Sequence, residues 1–460
     1  MTGEIMQKKR LVASFAVTAI LAGSLFGATS AAQAAGRTVV VWSPYKGGNL
    51  DLWNAAIKRV EAANPGLTVT SVGSIDMAKS LAAINAGNGP DISVSNGAGN
   101  LGWFCGTGAW QRLNTLIASR SSGIDLKATF TSAANAFTVS NNVRCALPLN
   151  SEVFAFYFNK DLLAKAGFKS APKTTTELLE YSKKLTTFNA DGSIKTAGFV
   201  PWAGYYGFDM DSMWLGQMFG ARWYNGNGTA GFGTDARWAK AFNWQKTFIA
   251  DVFGGGDFEK GSKLLTKFVA ARGGEWGTNH DFMSGRVAMK WDANWMAPMF
   301  CTGDDWAMAD KCTSKVNFGI AGFPVSPDLV SKNYGSGVVG AGLMGISKGS
   351  KNVKDAWIVM KALATDTKLA AAWDAANGAP STLKSKSARP ASYPDWYEPI
   401  YEVAGHPLSA YHMMKNTGEH LEEALLQNLM ASWQAGDTSN IKTALSDLAT
   451  KVNQIIARNE

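Results

Sequence analysis

Apolar positions along the first hundred residues change period in a regular way. Thr38-Val39-Val40-Val41-Trp42 is a short apolar run of strand type, followed by the polar loop Ser43–Asn49. From about Leu50, the residues Trp53, Ala56, Ile57 and Val60 fall on one helical face, which Asn64-Pro65-Gly66 ends. Leu67 to Val72 reads as a strand, Met77, Leu81 and Ile84 as a helix face stopping near Gly87, and Asp91–Val94 as a third strand. This βαβαβ order predicts an α/β chain with a mostly parallel sheet and helices on both faces. Ligands of such sheets gather beyond the carboxyl ends of the strands. The loops Ser43–Asn49, Gly73–Asp76 and Ser95–Asn100 therefore share one rim, where Trp42, Tyr45, Lys46, Asp76 and Asn96 are candidate ligand residues.

Further on, an apolar strand runs into Pro148 and a polar turn of Asn150, Ser151 and Glu152. A second strand, Val153–Phe158, then leads to a helix at about 160–166. Two strands joined by a polar elbow that carries a carboxylate suit a crossover between two α/β domains. Thr174-x-x-Glu177 reads as a capping box before Leu178, Leu179, Ser182 and Leu185. Residues 198–300 are rich in Gly, Trp and Tyr with weak periodicity, and read as short helices and loops. Trp202, Tyr205, Tyr206 and Trp214 form an aromatic cluster there, and Ala288–Trp291 is a short strand leading to Asp292 and Trp295.

Residues 335–346 return as an extended, Gly-rich apolar segment, followed by a helix with Val353, Trp357, Met360 and Leu363 on one face. The chain ends on a helix whose face is Ile441, Leu445, Leu448, Val452 and Ile455. Gly335-Ser336-Gly337-Val338-Val339-Gly340 matches the dinucleotide pattern G-x-G-x-x-G, but that motif needs a helix starting at its glycines. Leu343–Ile346 continues extended, so Gly337 is better read as hinge and close-approach backbone for a ligand.

Lys8, Lys9 and Arg10 precede an uncharged run from Leu11 to Ser30, and Ala32-Gln33-Ala34 offers small residues for cleavage. Residues 1–34 are thus expected to be a cleaved secretory signal, with translation starting at Met1 or Met6. The first cysteine is Cys105, so no lipid-modified cysteine can stand at the mature N-terminus, and a free periplasmic chain is expected. The net charge of +8 falls to +6 once Lys8, Lys9, Arg10 and Glu4 are removed. With no basic run interleaved with aromatics, that charge is a surface property and no nucleic-acid footprint.

Four cysteines in an exported chain suggest two disulfides. Cys301 and Cys312 flank a polar loop that a bridge could close, which leaves Cys105 and Cys145 to pair. Neither these nor the four histidines have metal-ligand spacing, so no metal and no cofactor are expected. Seventeen Trp outnumber fourteen Pro, and flat apolar platforms suit the C–H faces of sugar rings.

Five segments in order resemble the family 1 extracellular solute-binding proteins that serve sugar ABC transporters. They are Val41-Trp42 with Ala63–Val69; Ala82–Ile92 with Pro90-Asp91; Leu147–Leu163 with the Thr174 segment; Gly285–Met289 followed by Trp295; and Ser347–Asn352 before a Trp-bearing helix. The resemblance implies a periplasmic-binding-protein-like α/β fold of two lobes joined by crossing hinge strands, with the sugar between them. The lobes would be residues 35–149 plus 342–398 and residues 150–341 plus 399–460. By matched position Glu152 would contact sugar from the elbow, and Trp295 and Trp214 would stack on its rings. Ser43–Lys46 and Ser95–Asn96 would reach it from the rim, with Trp202, Tyr206, Asp292 and Gly337 nearby. The implied function is capture of a sugar, a neutral mono- or oligosaccharide, by a non-enzymatic monomer and delivery to the membrane permease subunits of an ABC transporter. The competing readings are a secreted carbohydrate-active enzyme, which would need two carboxylates across a cleft, and a binder of a polyol or other non-sugar solute.

Overall fold

The computed structural model describes residues 37–97, 101–140, 143–206, 211–274, 279–302, 314–409 and 421–459. The expected signal segment lies outside them, as does Cys312.

The N-terminal elements follow the apolar pattern closely. They are β1 (Arg37–Trp42), α1 (Gly47–Ala63), β2 (Leu67–Val72), α2 (Met77–Asn85) and β3 (Ile92–Ser95). Helix α1 buries Trp53, Ala56, Ile57 and Val60, the face its spacing selects. It is followed by Gly66 at φ 81°, a left-handed turn that favours glycine. Strands β2 and β3 both pair with β1 in parallel. Asp91, just before β3, accepts the Val40 N–H at 2.9 Å and the Ser350 hydroxyl at 2.6 Å, tying the sheet to the chain's later return.

Four strands complete the main sheet: β4 (Leu147–Asn159), β5 (Met289–Ala293), β6 (Phe318–Ala321) and β7 (Val338–Ile346). The order is β6-β4-β7-β3-β1-β2, with β5 also paired to β4. Parallel pairing is confined to β1, β2 and β3; β7 enters antiparallel to both β3 and β4, so the expectation of a mostly parallel sheet gives way to a mixed one.

The expected pair of strands around a polar elbow is instead the single strand β4, 13 residues long. Its backbone stays extended because partners change along it: β7 opposes Leu147–Phe154, whereas β5 and β6 oppose its second half. Asn150 bridges to Ser381, and the register irregularity falls on β7 between Ala341 and Leu343. The polar residues mark where the strand passes between two cores.

Those cores share no residue. One holds Val39, Val41, Trp53, Ile92, Leu147, Met344, Ile346, Trp357 and Leu383, and the other holds Val153–Tyr157, Val338, Val339, Ala341, Tyr397 and Leu445. β4 and β7 therefore each contribute one end to either core. A third, small cluster surrounds the expected disulfide Cys105–Cys145, where Trp110 stacks on Phe104 at 4.3 Å. Gly345 allows this packing, since a Cβ there would meet the Trp110 ring at 2.1 Å. Cys301 is also disulfide-bonded.

Among the described residues the longer helices that follow are α3 (Thr175–Leu185), α4 (Asp211–Met218), α5 (Ala236–Ile249), α6 (Phe258–Ala270), α7 (Val353–Ala364), α8 (Thr367–Asn377) and α9 (Glu398–Gly405), before the terminal Leu421–Ala435 and Ile441–Asn459; shorter ones, such as Lys160–Lys165 and Met296–Thr302, lie between the strands. Thr174 and Glu177 form the expected capping box at α3. α8 belongs to the first core and α9 to the second. Asp374 on α8 accepts the Tyr401 hydroxyl of α9 at 2.7 and 2.8 Å, joining the cores away from the sheet. Among the described residues no helix is long and apolar enough to cross a membrane.

Candidate functional site

The side chain of Glu152 leaves β4 opposite Gly340 of β7, at the passage between the cores. It accepts the backbone N–H of Gly97, from the turn after β3, and burial pushes its carboxyl up to about 7 despite that bond. Tyr45 lies nearby, and burial, then the charge of Glu152, raise its hydroxyl well above the usual tyrosine range. The Tyr45 ring is packed 4.7 Å from Trp373 and 5.4 Å from Trp53, so its position is fixed by the first core. Asn96 is exposed on the same turn as Gly97. The turns that carry Tyr45 and Gly97 thus both approach the elbow carboxyl.

Residues two apart on a strand share a face, so Phe154 follows Glu152 on the same side of β4. Its ring lies 5.6 Å from Trp295, nearly edge-on at 79°, and 5.5 Å from Trp214. Trp214 continues to Trp291 at 5.1 Å and to Tyr206 at 6.1 Å. Trp295 is half-buried, whereas Trp214 is 1% exposed within an all-round buried α4. Trp295 therefore keeps some accessible surface, whereas Trp214 is enclosed where it packs against Phe154.

Tyr206 accepts the Val200 N–H at 3.3 Å and lies under the Lys290 ammonium, 5.4 Å from its ring centre. Lys290 is buried and paired with Asp292, and His280 Nε2 lies 2.8 Å from its Nζ. Burial lowers the lysine most, with Asp292 opposing, while burial and Lys290 together push His280 down to about 2. These groups line a pocket of about 520 Å³ of empty volume with Tyr205, Asp281, Phe282 and Met296. Asp292 thus belongs to a satisfied buried ion pair.

The remaining sequence candidates are placed as follows. Trp42 is half-buried at the end of β1 and Lys46 is exposed just before α1. Asp76 caps α2 by accepting the Lys79 N–H at 2.7 Å. Trp202 is half-buried beside the aromatic cluster. Gly337 is buried, donates to Ser409 Oγ at 3.0 Å, and leaves a Cβ only 2.5 Å from the Phe154 carbonyl, so close packing against β4 requires glycine there. Sequence reasoning missed the Gly97 N–H, the Lys290–His280 contact and the asparagines Asn49, Asn294 and Asn377, because a buried amide bond leaves no periodic trace. Among the described residues no group of three His, Cys, Asp or Glu side chains could hold a metal ion.

The elbow carboxyl of Glu152 and the half-buried indole of Trp295 are each next to Phe154, the first along β4 and the second across a 5.6 Å ring contact. In fold the chain is similar to CpMnBP1 with mannotriose bound, at 21% identity and a TM-score of 0.69, over 90% of this chain and 99% of that one. It is also similar to the cyclic α-maltosyl-1,6-maltose binding protein of Arthrobacter globiformis, at 17% and 0.67, over 92% and 99% of the two chains. The sugar-binding protein MalE of Xanthomonas citri matches at 17% and 0.66, over 92% and 98%. The expected solute-binding fold is therefore present. The sequence profile of the bacterial extracellular solute-binding proteins matches residues 55–398, most of the chain. With β1–β3, the long shared strands β4 and β7 and two separate cores in place, the chain belongs to the bacterial extracellular solute-binding protein family.

Proposed function

We propose that the chain captures a neutral mono- or oligosaccharide between its two cores, outside the cytoplasm, and delivers it to the permease of an ABC transporter without altering it. The lobes would be residues 35–149 plus 342–398 and 150–341 plus 399–460, with residues 1–34 removed on export. The observation that carries this reading is the placement of Glu152 on β4, one of the two strands that serve both cores, and of Trp295 against Phe154 of the same strand. The carboxylate makes charge-assisted bonds to hydroxyls, and the indole takes the C–H face of a ring. Proteins of the same fold were solved with mannotriose, maltotetraose and cycloalternan, which supports an oligosaccharide as the ligand class.

The test is a thermal-shift screen of the mature chain against neutral mono- and oligosaccharides, mannotriose and maltotetraose included. A ligand at about 100 times its dissociation constant stabilises by about 2.7 kcal/mol. Chromatography of the recovered sugar should return it unchanged, whereas cleaved products would make the chain an enzyme. Small-angle scattering should show a smaller radius with sugar bound, as hinge closure requires. No shift with any sugar would overturn the proposal.

A further inference from the structure

Asn294 stands between the two residues on which the sugar site rests. It follows the last residue of β5 and precedes Trp295, and its partner Val153 follows Glu152. The side chain is 1% exposed. Its Oδ1 accepts the Val153 N–H at 2.8 Å, and its own N–H donates to the Val153 carbonyl at 2.8 Å. The amide oxygen thus replaces the backbone carbonyl that a longer β5 would have offered. That substitution leaves the Asn294 carbonyl to face the Tyr397 hydroxyl at 3.1 Å, which it shares with the nearer Gly378 carbonyl, while the chain turns away at Trp295.

The Nδ2 of Asn294 reaches in the other direction, donating to the Asn377 carbonyl at the end of α8 at 2.9 Å. Asn377 in turn exchanges two amide hydrogen bonds, at 3.1 and 3.2 Å, with Asn49 in the first turn of α1. One buried amide therefore ties the elbow strand, the aromatic turn and the first core together. Every polar atom of Asn294 is used in this way, and a buried amide left half-satisfied is costly.

We propose that Asn294 is a positioning residue of the binding site: it holds the Trp295 indole in register with Glu152 and links both, through Asn377 and Asn49, to the first turn of α1, which follows the first rim loop. This rests on the sugar-site reading above, so the test separates the two. Tryptophan is replaced by 5-fluorotryptophan and the Trp295 fluorine resonance is assigned by its loss in W295F. In sugar-free protein, N294A should shift or broaden that resonance while the Trp53 resonance of the other core stays in place. Affinity for mannotriose should fall at least about tenfold. Combined with W295A, N294A should add less than about twofold to the loss from W295A alone, because the two act as one unit.

The isosteric N294D should bind more weakly than wild type at pH 8 and approach wild type measured at the same low pH, where the protonated acid regains a donor for the Asn377 carbonyl; the comparison at equal pH cancels the protonation of Glu152, whose carboxyl is pushed up to about 7 in both proteins. It also carries the test if N294A fails to fold. An unmoved Trp295 resonance, or losses that simply add, would overturn the positioning role while leaving the site intact. If W295A and E152Q both bind normally, the site reading fails instead, and the fluorine spectrum still decides whether Asn294 positions Trp295.

Discussion

Replacing Asp374 by asparagine tests how buried charge sets the stability of this chain. The carboxylate is 4% exposed and lies between the cores, facing the hydroxyls of Tyr401 and Tyr393, with Arg389 beyond Tyr401. Burial pushes it up to about 7, against the hydrogen bonds from the two tyrosines, from an ordinary value near 3.8. Between those values the folded chain keeps a proton that the unfolded chain has released. The stability from this group is therefore full below about pH 4 and is lost as the pH rises through 7. Integrated from pH 5 to pH 8, that loss is about 2–3 kcal/mol.

D374N carries no charge at either pH and keeps an oxygen for the Tyr401 hydroxyl. His280, pushed down to about 2, acts in the opposite sense because the unfolded chain takes up its proton first as the pH falls. It is present in both proteins, so it cancels in the comparison. The assay is denaturant unfolding of wild type and D374N at pH 5 and pH 8. The stability of wild type relative to D374N should fall by about 2–3 kcal/mol between the two. A relative stability equal at both values would refute the claim that Asp374 titrates near neutrality in the folded chain.

Trp295→Ala should weaken sugar binding by about thirtyfold or more, since truncating a central aromatic anchor commonly costs at least about 2 kcal/mol. Glu152→Gln should cost about 1–2 kcal/mol by removing the charge-assisted acceptor, and calorimetry with wild-type values for both would sink the site. Replacing Cys105 and Cys145 by alanine opens a loop spanning 40 positions and should lower stability by about 4 kcal/mol in the chain-entropy account, read by denaturant unfolding. Mass spectrometry of the exported chain should find an N-terminus near Ala35; a retained apolar segment would overturn the cleaved signal.

Amphipathic elements were the legible part of the sequence. The faces of α1 and α3, the capping box at Thr174 and the extended segment ending at Ile346 follow directly from apolar spacing. The region from 198 to 300 was not legible, and α4 shows why. All eight of its residues are buried, so it has no polar face to set a period. The elbow was read as a break because Asn150, Ser151 and Glu152 interrupt an apolar run. What keeps β4 continuous there is its change of partners, which all lie well over a hundred residues further along the sequence. For the same reason Glu152 could be singled out from its position, whereas Asn294 acquires its role only through Val153 and Asn377.

The sharing of β4 and β7 between the cores also governs the order in which the molecule can be completed. The first core lacks Met344, Ile346, Trp357 and Leu383 until the chain has passed well beyond residue 338. A nascent chain that holds β1 to β3 and even all of β4 therefore has a sheet edge with no β7 to cover it, and lacks later members of the core to which Trp53 belongs. Such a fragment gains little by collapsing early, because the contacts that reward it close loops of more than two hundred residues. The connectivity that lets two strands serve both cores thus leaves the sheet incomplete until the chain has been made past Ile346.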